Sequence, residues 1–125
     1  MKLQYLYRNE LGTSAVYNER LHQTKKVPIS YINELCVENL STYLGRKTAT
    51  SEKYKVKSVV PIYVDDVTLL FPTESVKNFD CVWINYHEIE TVYSDTVLMN
   101  NGHIVKCRKN ALSKQLNKCF EIAFS

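Results

Sequence analysis

Only three glycines and three prolines occur in 125 residues, and they do not cluster, so no flexible or polyproline linker divides the chain. No apolar run approaches the ~18 residues of a membrane span, and the opening MKLQYLYRNELG holds nothing long enough for a signal peptide. The expectation is a soluble cytoplasmic protein with no membrane partner. The four cysteines, Cys36, Cys81, Cys107 and Cys119, form no CxxC pair and each sits in an apolar strand or helix pattern. Buried reduced thiols are therefore favoured over disulfides or zinc. Motifs of catalysis are also missing: there is no GxSxG, HExxH, Walker-type phosphate loop or GxGxxG. The three histidines lie far apart, and His87, Glu88 and Glu90 do not all share one face of a strand. Asp65-Asp66 sits between two apolar stretches, where a turn is the commoner role. No catalytic residue, metal ligand or cofactor is expected, and the protein does not read as an enzyme.

What is present is a core. Hydrophobic residues make up 45% of the chain, enough for one domain over 1–125 with an N-terminal hairpin extension at 1–28. Leu3, Tyr5 and Tyr7 alternate on one face of 3–8, and 13–19 follows after Asn9-Glu10-Leu11-Gly12, as in a β-hairpin. Ile29, Ile32, Leu35/Cys36, Leu40 and Tyr43/Leu44 then recur at helical spacing, which predicts one helix near 30–44 with Ser30 as N-cap and Gly45 as C-cap. From Lys53 the period changes to two: Tyr54 and Val56 point one way and Lys53, Lys55 and Lys57 the other. Further strands are predicted at 60–64, 67–71, 81–86, 89–93, 96–100 and 103–107, with Asn100-Asn101-Gly102 turning the last pair. Leu112, Leu116, Cys119/Phe120 and Ala123 predict a closing helix near 110–122 behind an Asn110 cap, with Lys114 and Lys118 on its solvent face. The fold class is α+β: a β-rich single domain of antiparallel strands with one helix near 30–44 and a C-terminal helix.

The net charge of +3 is modest, but it is unevenly distributed. Residues 1–45 carry +1, 46–61 carry +4, 62–95 carry −6 and 96–125 carry +4. Interspersed charges would cancel over a Debye length of ~8–10 Å, whereas two basic blocks around an acidic one make a dipolar molecule with a phosphate-facing side.

From Ile29 to Lys47 the order of Ile29, Ile32, Cys36 and Ser41-Thr42-Tyr43-Leu44-Gly45-Arg46-Lys47 closely resembles the helix and following loop of the ComK family of bacterial competence transcription factors. Pro61-Ile62-Tyr63-Val64-Asp65, Leu70-Phe71-Pro72-Thr73, Val82-Trp83-Ile84, Asn101-Gly102, and Asn110 with Gln115 continue the likeness in order to the end of the chain. The resemblance implies a DNA-binding activator that recognises AT-rich double-stranded DNA through the minor groove, acts as a homo-oligomer (dimer or tetramer) and works with RNA polymerase. The family's longer tail has no counterpart after Ala123-Phe124-Ser125, so the likeness does not extend to control through a protease adaptor. Val82 to Val92, Val97 to Val105 and Arg108-Lys109-Asn110 are also similar to the LytTR-type DNA-binding domain. That likeness implies that Asn85 and a basic residue near Arg108/Lys109 approach DNA. An RNA-binding module, or an anti-regulator that pairs with a protein in place of DNA, is the alternative.

The candidate DNA-binding residues are Arg46, Lys47, Lys53, Lys55, Lys57, Asn85, His87, Lys106, Arg108 and Lys109. Arg46 and Lys47 follow the expected helix cap, and Arg suits the enhanced negative potential of a narrow AT-rich minor groove. On a strand, Lys53, Lys55 and Lys57 would recur every ~6.6 Å, close to twice the phosphate rise of one DNA strand. Lys106, Arg108 and Lys109 flank the N-terminus of the last helix, whose N–H groups can also take a phosphate.

Overall fold

In a computed structural model, residues 2–108 and 111–125 are described. Strands β1 (Leu3–Asn9), β2 (Gly12–Tyr17) and β3 (Leu21–Thr24) open the chain, followed by helices α1 (Pro28–Glu38) and α2 (Tyr43–Tyr54). Strands β4 (Ile62–Asp65), β5 (Thr68–Pro72) and β6 (Val82–Asn85) come next, and a 3-10 turn (Tyr86–Glu88) leads to β7 (Ile89–Val92), β8 (Thr96–Met99), β9 (Ile104–Lys106) and α3 (Leu112–Ala123). Six strands form one antiparallel sheet in the order β3-β2-β1-β6-β5-β4, and β7-β8-β9 form a second. The α+β class stands.

Alternation along the central strands loads both faces of the large sheet. Leu70 and Trp83 join Ile32, Cys36 and Tyr43 of α1 and α2 in one buried cluster. Their neighbours Leu69, Phe71 and Ile84 join Val97, Met99, Leu112, Cys119 and Ile122 of the small sheet and α3 in a second. Leu3 and Leu6 reach the same cluster despite opposite parity, because a register shift between Leu3 and Tyr5 inserts a residue into β1. The β1–β2 turn requires glycine at 12, where φ is +132° and a Cβ would lie 2.2 Å from the Thr24 carbonyl oxygen.

Two expectations are corrected. The helix near 30–44 is two helices, broken where Leu40 takes φ +61°. The N–H groups of Asn39, Leu40 and Ser41 fold back onto the carbonyls of Cys36 and Val37. Thr42 then caps α2, its Oγ1 accepting from the Gly45 N–H at 2.9 Å. The apolar spacing that runs through the break does not mark a buried face there: Leu40 and Leu44 are exposed, and Tyr43 is the residue of α2 that joins the cluster of Ile32 and Cys36. Ser30 and Gly45 are therefore not caps: α1 opens at Val27 with Pro28 at its first position, and Gly45 lies in the first turn of α2. The strand expected from Lys53 is the end of α2, where Tyr43, Thr50 and Tyr54 make a helical stripe that outweighs the brief alternation after it. Strand β3 was not foreseen, since none of its side chains is buried and it carries no apolar alternation. The Asn110 cap lies outside the described residues.

All four cysteines are buried free thiols. Asp65 turns the chain between β4 and β5, its carboxylate accepting from the Val67 N–H at 2.9 Å. No described helix is long and apolar enough to cross a membrane.

Candidate nucleic-acid interface

The basic residues meet where α2 ends. Lys55 closes that helix in the left-handed conformation, φ 58° and ψ 41°, and the loop after it returns to the left-handed region at Val59, φ 53°. A β-branched residue rarely adopts this conformation, and the loop is held there from outside. Gln115 of α3 donates its amide to the Val59 carbonyl at 2.8 Å and to the Pro72 carbonyl at 3.2 Å. Lys118, one turn on, donates to the Tyr54 carbonyl at 3.3 Å, placing a cation at the C-terminal end of α2 where the helix dipole favours one. The Tyr54 hydroxyl donates to Ser125 Oγ at 2.6 Å.

This clamp leaves a cleft of about 600 Å³ between the 55–59 loop and α3. Lys55, Lys57, Arg108, Lys114 and Lys118 line it, and Glu74 is the one acid among the described residues of its lining. The Glu74 carboxylate accepts from Asn78 Nδ2 at 2.7 Å. Five positive charges drawn from two segments far apart in sequence thus converge around one concavity, Lys118 among them paired with Glu121 at 3.5 Å, and the remainder give the potential that attracts a polyanion. The two basic blocks meet here, but not as a track along a strand. Lys53 is helical, Lys55 is the cap and Lys57 lies in the loop.

The remaining candidates lie elsewhere or outside the described residues. Lys47, Lys53 and Lys106 do not line the cleft; the Lys53 ammonium sits 5.3 Å from the centre of the Tyr54 ring. Arg46 lies in α2 with its guanidinium 5.4 Å from the centre of the Tyr63 ring, and its Nε is buried without a hydrogen-bond partner. It pins α2 to β4. Asn85 is fully buried and all of its hydrogen-bonding capacity is used within the fold. Its Nδ2 donates to the carbonyls of Leu3 and Val67, and its Oδ1 accepts from the N–H groups of Leu69 and His87. With no surface and no unsatisfied group it cannot read DNA in this conformation. His87 lines a separate hollow with Tyr86, Ile89, Leu116 and Phe124. Lys109 lies outside the described residues. Lys114 and Lys118, missed as site residues, carried one signal in the sequence, their i, i+4 spacing on a solvent face.

Burial raises the thiols: Cys107 is pushed up to about 12, first by desolvation and then by Asp95, and Cys119 is raised by desolvation alone. Among the described residues no group of three or more His, Cys, Asp or Glu could hold a metal ion.

A family model described as ComK protein matches residues 2–125. A competence transcription factor from Bacillus subtilis (strain 168) is 34% identical over 82 residues, a stretch covering 60% of this chain and 43% of that protein. The match thus spans less than half of the relative's length. No solved structure matches the chain.

Proposed function

The chain belongs to the ComK family, and from that membership we propose that it regulates transcription by binding AT-rich double-stranded DNA, without enzymatic activity of its own. The observation that carries the reading is the cleft: Lys55, Lys57, Arg108, Lys114 and Lys118 converge on one concave surface of a chain whose net charge is only +3. A DNA backbone ridge entering it meets several cations at once and releases condensed counterions. Lys47, Lys53 and Lys106 lie outside the cleft and act through long-range attraction. Arg108, exposed before α3, is the guanidinium available to a narrow minor groove, whereas that of Arg46 is engaged with Tyr63. The protein works as a homo-oligomer in the cytoplasm, with RNA polymerase as its protein partner.

Titration of AT-rich and G·C-rich duplexes at two salt concentrations tests this. Lys57→Ala weakens both duplexes alike and lowers the slope of log K against log salt by about 0.9, the value for one phosphate contact. Arg108→Ala lowers the AT preference by roughly 1–3 kcal/mol. Arg46→Ala leaves the preference unchanged and reduces stability. Wild-type protein that binds neither duplex overturns the reading.

A further inference from the structure

The cations around the cleft are more concentrated than a phosphodiester strand needs. A strand presents one charge per nucleotide, spaced along its length, and is matched by a line of cations. Here five cations, of which Lys118 is paired with Glu121, line a half-open cleft of about 600 Å³, a volume within the range of sites that take a small organic ligand. A single terminal phosphate group already carries about −1.5 to −2 charges near neutral pH, so a chain of phosphates on one compact body is the better match to such a cluster.

Two further features point the same way. The first turn of α3 holds Lys114 and no acid. A cation near the positive end of a helix is unfavourable until an anion comes between it and the N–H groups. Apolar Val56, Val59 and Ala111 also line the cleft; they offer nothing to a phosphate but can carry the flat face of a base. The loop bearing Val56 and Val59 is fixed by Gln115, so this apolar lining exists before any ligand arrives.

We propose that the cleft between the 55–59 loop and α3 binds a free nucleoside triphosphate, phosphates toward Lys57, Arg108 and Lys114 and base toward Val56 and Val59, in competition with DNA. The binding site stands on the cleft alone; the competition rests on the reading that DNA uses the same surface. Occupancy by the nucleotide neutralises the cations that a duplex would contact, so the protein's grip on DNA falls as the nucleotide concentration rises.

The test is calorimetric titration of the full chain with ATP, tripolyphosphate and adenosine at matched ionic strength, followed by duplex binding with and without ATP. ATP binds at least tenfold more tightly than tripolyphosphate, adenosine alone gives no measurable binding, and Lys114→Gln and Arg108→Gln each weaken ATP about tenfold. Val59→Asp, confirmed as folded by its thermal transition, loses the advantage of ATP over tripolyphosphate. Equal affinity for ATP and tripolyphosphate overturns the nucleoside assignment, and ATP affinity indifferent to both cation variants overturns the site. ATP binding that obeys these rules while no duplex binds overturns the DNA reading instead. A duplex that binds through Lys57 and is not displaced by saturating ATP overturns the competition.

Discussion

At the scale of single residues, Asn85 shows how a polar side chain within an apolar strand can be wholly structural. Asn85→Ala leaves the carbonyls of Leu3 and Val67 and the N–H groups of Leu69 and His87 without their partner, and the expected loss is roughly 3–5 kcal/mol. Urea unfolding measures it; a loss below ~1 kcal/mol means water replaces the amide. The thiols set a pH dependence. In the unfolded chain a cysteine ionises near its ordinary 9, while folded Cys107 stays protonated to about 12. Stability from this group is complete below pH 9 and is lost as pH rises through that window, at about 1.4 kcal/mol per pH unit for each such thiol. Urea midpoints between pH 8 and 11 therefore decline, and Cys107→Ala, though less stable at pH 8, declines less steeply.

At the scale of elements, the end of α2 holds two demands in one residue. Lys55 occupies a left-handed position that glycine fills more easily, and it also contributes charge to the cleft. Lys55→Gly is expected to raise stability by ~1 kcal/mol while weakening duplex binding, two changes of opposite sign that thermal unfolding and a DNA titration read separately. A variant unchanged in both places Lys55 outside the interface. This region also marks the limit of what the sequence disclosed. The strands from 62 onward were legible as short runs rich in β-branched and apolar residues, several bounded by a turn such as Asp65-Asp66 or Asn101-Gly102. The break at Leu40 was not, because Leu40 and Leu44 keep the helical apolar spacing while standing exposed, and that spacing carries no mark of a left-handed residue between two helices. The alternation of Lys53, Lys55 and Lys57 misled because it is too short to distinguish a strand from a helix end. The cleft itself was half legible: two basic blocks were visible in the charge pattern, but only the clamp of Gln115 on Val59 determines which of their members meet.

At the scale of the whole molecule, one sheet has a core on each face, and each core draws on distant segments. The first needs α1 and α2 against β4, β5 and β6, and the second needs the small sheet and α3 against the reverse of the same strands. The placement of β1 inside the sheet, with Tyr5 opposite Ile84 and Tyr7 opposite Val82, governs the order of events on the ribosome. Its hairpin with β2 is available as soon as the first strands emerge, yet its other edge stays bare until β6 has been made. At ~5–20 residues per second that interval lasts several seconds, during which a nascent chain displays an unpaired edge along the strand carrying Tyr5, Leu6 and Tyr7. Folding can therefore close only late, and a chain halted at residue 80 keeps an open edge permanently. Such a fragment is expected to sediment as aggregate, whereas the full chain remains in solution under the same expression conditions.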